Sequence, residues 1–261
     1  MAIVLFKLVL IPSLVAVLTL ISRRWGPDVG GWFVGLPLIS GPVSAFLLME
    51  RGRDFALASA RSTLHGIIAV AAFSLAYERV SRFCRWPLTV VAGLTAYFAV
   101  VALFSGASLP FGVSLFLVLS VIAFGCRALP ACTEAVSTAA APSWDLPFRM
   151  IAATAIVVVL TAVSSFLGPQ LSGLLSTFPV SISVMSTFSH RLYGRLAVCR
   201  LERGVLVGSY SCVGFYVVAV LTLPTWHPAV IYSLATACAL GINIFVFYAM
   251  SGKWNRERRH P

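Results

Sequence analysis

GWFVGLPLISGPVSAFLLMERGR (31–53) and GLLSTFPVSISVMSTFSHRLYGR (173–195) are one pattern written twice. Gly31 matches Gly173, Pro37 matches Pro179, Ser44 matches Ser186, Phe46 matches Phe188, Gly52 matches Gly194 and Arg53 matches Arg195. Working outward, residues 6–73 align on residues 148–215 without a gap, at a constant offset of 142. The alignment holds 18 identities in 68 pairs, among them Phe6/Phe148, Thr19/Thr161, Ser22/Ser164, Gly26/Gly168, Pro27/Pro169, Arg61/Arg203 and Gly66/Gly208. Their concentration in Gly, Pro and Arg is not what a Leu/Val/Ala bias produces. In an apolar chain, such a repeat points to a transporter built from two halves.

The chain is apolar enough for that reading. It is 59% hydrophobic and 10% charged, where a soluble domain carries about 25% charged residues. A net charge of +11 could suggest nucleic acid. The basic residues instead sit between apolar runs, as membrane topology requires, and no soluble basic domain exists to carry nucleic acid. The six cysteines form no CxxC pair and read as small apolar residues and free thiols. The first apolar run contains Lys7 and is followed by Arg23 and Arg24 without a small-residue cleavage motif, unlike a removed signal.

Nine apolar runs have bilayer length: 3–22, 29–49, 58–77, 87–106, 109–126, 149–167, 171–189, 203–223 and 228–250. The segment from Cys126 to Arg149 is the one real loop. With the N-terminus outside and the C-terminus in the cytoplasm, 15 of the 19 Lys and Arg residues fall on the inner side. The expected fold is an all-α polytopic membrane protein with two inverted four-helix repeats. Residues 1–106 form repeat one, 107–147 a linker helix and loop, 148–250 repeat two and 251–261 a basic cytoplasmic tail.

The second helix of each repeat is interrupted. Repeat one carries Pro37, Ser40, Gly41, Pro42 and Ser44 in its middle; repeat two carries Pro179, Ser181, Ser183 and Ser186. Proline removes a backbone donor and frees a carbonyl, and in lipid such irregular backbone survives only against protein or a wet cavity. Broken helices at matching positions point to a midplane site, and the half-helix beyond each break offers its positive end to an anion. A plain proline kink is the better account of a single break; two at one repeat position weigh about equally for a kink and for a site.

Arg53 and Arg61 match Arg195 and Arg203, and one pair faces each side of the membrane in this topology. Arg53 and Arg61 lie on the outer side, against the topology rule, and guanidinium binds phosphate or carboxylate through a two-pronged fork. These four arginines, with the residues of the breaks, are the expected substrate-binding set. Lys7 and its partner Arg149, and His65 inside the third span, are the expected coupling or gating groups. Asp28, Glu50, Asp54, Glu78 and Glu202 all fall near span ends, so no acidic relay is expected. No metal cluster, cofactor motif, nucleophile elbow or phosphate-binding loop is present, which argues against an enzyme.

Four stretches carry a family resemblance: Phe6–Lys7, GLPLISGP (35–42), ERGRDFALASARSTLHG (50–66) and Arg85–Trp86–Pro87. Over residues 5–105, and more faintly over 148–248, the chain resembles the small bacterial inner-membrane proteins of the GlpM family. Members are about half this length, so the chain looks like a fused tandem pair. The resemblance implies a transport-like unit of the bacterial inner membrane with a connection to exopolysaccharide production.

The expected function is alternating-access transport of an anionic small molecule. A lipid-phosphate flippase, for instance of a polyprenyl phosphate carrier, and a non-transporting subunit of a polysaccharide synthase are the alternatives. Membrane lipids and the substrate are the expected partners, and a homodimer is compatible with the reading.

Overall fold

In the computed structural model, residues 2–107, 109–129, 132, 142–164 and 178–257 are described. Among them the chain is all helical: α1 (Ala2–Trp25), α2 (Pro27–Val34), α3 (Ser40–Arg51), α4 (Arg53–Val80), α5 (Trp86–Phe104), α6 (Phe111–Ala128), α7 (Asp145–Ser164), α8 (Val180–Thr222) and α9 (Pro228–Glu257). Five helices are long and apolar enough to cross a membrane: α4, α5, α6, α8 and α9 over Pro228–Val246.

The repeat reappears in the backbone. α4 runs over 53–80 and the second arm of α8 over 195–222, the same positions at the offset of 142. α5 starts at Trp86 and α9 at the equivalent Pro228. The joints before the two long arms share one conformation: Gly52 has φ 82°, ψ 179° and Gly194 has φ 78°, ψ −170°. Nothing lies within 4 Å of a Cβ at either glycine, so backbone conformation rather than space selects glycine there. α8 is therefore two helices, residues 180–193 and 195–222, meeting at Gly194, where the sequence suggests separate spans at 171–189 and 203–223. The half of the second broken helix before Phe178 lies outside the described residues.

Equivalent helices pack antiparallel. Arg53, at the start of α4, donates to the Leu223 carbonyl just beyond the end of α8 (2.7 Å). Arg195, at the start of the second arm of α8, stands 4.0 Å from Glu78 near the end of α4. Likewise Arg23, late in α1, pairs with Asp145 at the start of α7 (2.6 Å). α6 lies against both α4 and α8.

The closest crossing joins α2 to α8 through two Gly-x-x-x-Gly pairs, Gly31/Gly35 and Gly204/Gly208. A Cβ on Gly31 would stand 2.0 Å from the Leu201 carbonyl oxygen, and one on Gly208 2.2 Å from the Trp32 carbonyl oxygen. Small residues let helix backbones approach where lipid supplies no hydrophobic drive.

One expectation needs correction. Cys132 and Cys199 are joined in a disulfide, and the Cys132 carbonyl also accepts from Arg200 Nε (2.9 Å). The loop after α6 is thereby tied to α8. Cys84, Cys126, Cys212 and Cys238 are free.

Candidate functional site

The break in repeat one is real: between α2 and α3, residues 35–39 are irregular around Pro37. In repeat two, helix begins directly after Pro179. The break of repeat one and the start of α8 face one cavity. Its walls are built from equivalent positions of both repeats: Leu36 with Phe178, Leu38 with Val180, Ile39 with Ser181, Ser40 with Ile182, Ile67 with Ser209 and Val70 with Cys212. Leu14 and Leu18 of α1 close one side.

The cavity wall is mostly apolar, with Ser40, Ser181, Ser209 and Cys212 as its polar groups. α3 begins at Ser40 and α8 at Val180, so two helix N-termini open on the same space. Each brings a positive dipole end, although the Gly41 and Val180 N–H groups are bonded to the Pro37 and Phe178 carbonyls and Pro42 has no N–H to offer. The Ser181 hydroxyl is buried and has no hydrogen-bond partner among the described residues. The start of α3 is fixed by Tyr216, fully buried on α8, which donates to the Ser40 carbonyl (2.8 Å).

A second, apolar groove adjoins the first cavity and shares Leu36 and Leu38 with it. It runs past Pro37 and Pro42 between α3 and α9, over Phe215, Tyr232 and Ala239. Ser44 sits beneath it, bonded to the Tyr232 hydroxyl (3.1 Å).

The cationic candidates lie elsewhere. Arg61 is exposed on the outer face of α4. Arg203 is half-buried near Cys126 of α6. Arg53 and Arg195 each reach the far end of the other long helix, a capping position that favours a cation. None of the four lines the cavity. Ser40, Pro179 and Ser181 do, and Pro37 lines the adjoining groove. Ser183 donates back to the Val180 carbonyl (3.0 Å).

His65 points away from the cavity, bonded through Nε2 to Ser114 of α6 (2.9 Å) and stacked on Phe104 of α5 (4.6 Å between centroids). Arg149 is buried, donates through Nε to both Asp145 oxygens (2.9 and 3.0 Å) and lies over the Phe188 ring (5.0 Å). The Lys7 side chain lies outside the described residues.

Three of the acidic residues are buried, which their expected positions near span ends and in the loop do not imply. Glu78, Asp145 and Glu202 are fully buried. Asp145 binds Arg23 and Arg149, and Glu78 binds Arg82. Glu202 accepts from Ser186, one of the expected site serines. Its flanking Arg200 and Arg203 give it the look of a span end, whereas α8 continues through it as one helix. No protein-family model, curated protein or solved structure matches this chain.

Proposed function

We propose that the chain is a carrier for an anionic substrate, working by alternating access between two inverted repeats. In this reading it lies in the bacterial inner membrane with its N-terminus outside and its C-terminus cytoplasmic, as the Lys/Arg distribution favours. The observation that carries the proposal is the cavity built from matching positions of the two repeats. Antiparallel packing of α4 against the second arm of α8 supports the inversion. The substrate's negative group would rest on the two helix N-termini and their serines, with the apolar wall holding the remainder. Affinity for an anion then comes from backbone dipoles rather than from Arg61 and Arg203. Those arginines, on the outside of the bundle, are assigned to entry and orientation.

The groove past Pro37 favours a second reading. An apolar slot continuous with a site for an anionic head suits a lipid phosphate, with its chain between α3 and α9. The GlpM-like stretches are compatible with both readings through their envelope connection.

Proteoliposomes decide between them. Wild type, Ser181→Phe (which fills the cavity), Ala239→Trp (which fills the groove) and Arg61→Ala are compared for uptake of small anions and for flipping of a fluorescent polyprenyl phosphate. A solute carrier loses activity with Ser181→Phe alone. A flippase loses it with either bulky substitution. Full activity in Ser181→Phe, with the protein inserted, removes the site from consideration.

A further inference from the structure

Of the three fully buried carboxyl groups among the described residues, two are held by guanidinium groups. Arg82 binds Glu78 through three contacts of 2.9 to 3.1 Å, and Arg149 and Arg23 bind Asp145. Glu202 has no Lys, Arg or His within ion-pair distance among the described residues. Its Oε1 accepts from the Ser186 hydroxyl, and its Oε2 is buried without a hydrogen-bond partner. On α4, the Ser74 hydroxyl is turned towards Glu202 and the Tyr77 hydroxyl towards Thr187, and both are buried without closing a hydrogen bond. An unpaired carboxyl among underused hydroxyls is an expensive arrangement in a protein interior and is a functional signal inside a membrane.

The position of this group gives it leverage. Ser186 lies on the first arm of α8, residues 180–193, which begins at the cavity. Glu202 lies on the second arm. Their bond therefore clasps the two arms across the Gly194 joint. The equivalent serine of repeat one, Ser44, is held instead by the neutral Tyr232 hydroxyl, and the position equivalent to Glu202 is Ala60. One half-helix is thus clasped by a titratable group and the other is not.

We propose that Glu202 is a proton-binding site whose occupancy controls the Ser186 clasp, and so the half-helix that closes the repeat-two side of the cavity. The proton arrives from water at the Arg195 end of the bundle and binds at Oε2. As a coupling site this rests on the carrier reading; as a proton site it does not. The titratable and charged groups around it are Tyr77 and Glu78 of α4, the latter with Arg82 and Arg195. His190, on the first arm, meets the edge of Tyr77, and Asp28 of α2 is paired with Arg200. The ligand set favours a proton over a metal: no group of three His, Cys, Asp or Glu residues is gathered among the described residues.

The test is pH-difference infrared spectroscopy of the full-length protein in lipid, joined to hydrogen exchange of residues 180–193. Wild type should show a titrating carboxylic C=O band that is lost in Glu202→Gln, kept in Glu78→Gln and shifted in Ser186→Ala. Protection factors of 180–193, with the intrinsic pH dependence of amide exchange divided out, should change with pH in wild type and stay flat in Glu202→Gln, while those of residues 40–51 stay flat in both. If Glu202→Gln does not fold, Glu202→Asp must keep the band and move it. A band that persists in Glu202→Gln overturns the proposal, as does one abolished by sodium at constant pH. An intact titrating band in a protein that moves no solute or lipid would overturn the carrier reading and leave the proton site standing.

Discussion

Alanine at Gly208 would place a Cβ 2.2 Å from the Trp32 carbonyl oxygen and 3.0 Å from Gly35 Cα. A relaxed carbon–oxygen contact begins near ~3.3 Å, so the two helices must separate by about 1 Å. Both obstructing atoms are backbone, and no rotamer change relieves them. A gap of about 0.5–1 Å forfeits a quarter to a half of each dispersion contact across the crossing. Overpacking of this kind costs about 1–3 kcal/mol, offset by the gain of about 0.5–1 kcal/mol from replacing Gly inside a helix. The net expectation is a loss of about 1–2 kcal/mol, roughly a tenfold shift in the unfolding equilibrium. Gly241→Ala is the control: it lies inside α9 with nothing within 4 Å of its Cβ. That variant should gain about 0.5–1 kcal/mol from helix propensity alone. Unfolding in bicelles titrated with SDS, followed by circular dichroism, measures both. Because α2 leads into Gly35 at the cavity wall, Gly208→Ala should also lower transport. A Gly208→Ala protein as stable as Gly241→Ala would refute the close crossing and the placement of α2.

Other perturbations follow from the same geometry. Asp145→Asn leaves Arg149 buried beside a neutral amide and should destabilise by about 3–5 kcal/mol; Asp145→Asn with Arg149→Met should recover most of that in the same SDS titration. Arg53→Ala removes the bond to the Leu223 carbonyl and should cost about 0.5–1.5 kcal/mol, while Arg195→Ala, which removes an exposed guanidinium 4.0 Å from a Glu78 already held by Arg82, should cost less than about 1 kcal/mol. Reduction of Cys132–Cys199, 67 residues apart in sequence, should lower stability by about 4 kcal/mol on chain-entropy grounds; mass spectrometry after thiol alkylation should count two further alkylated cysteines only once a reductant is added.

The features legible in the sequence were those set by backbone chemistry. Proline at 37 and 179, glycine at 52 and 194 and the arginine after each glycine mark the breaks and joints whatever surrounds them, and the structure repeats the two glycine joints at the same offset. Features set by rotation about a helix axis were less accessible. Arg61 attracts interest as a charge within an apolar stretch, yet it shares an exposed stripe with Asp54 and Ala58, one helical turn apart each. That phase is visible in the sequence once the 3.6-residue period is applied. The burial of Glu202 is not, because it depends on Tyr77 and Ser186, far off in the chain. A hydropathy window also ends a span where charges cluster, which sets Glu202 among Arg200 and Arg203 at a boundary. The disulfide joins residues with no motif between them, and only the folded chain brings them together.

α6 has no counterpart in either repeat, yet it touches both long arms. Two units whose equivalent helices run in opposite directions cannot be joined end to end by an even number of crossings. In the topology proposed above, the unpaired helix would supply the missing reversal. A half-length ancestor of such a chain would have had to insert both ways round in the same membrane and pair with its own mirror-oriented copy. Once fused through α6, each half has a fixed orientation and is free to diverge. The carboxyl at 202, where the equivalent position of the other repeat is an alanine at 60, is one such difference: in the proposed arrangement a single half carries the ionisable group.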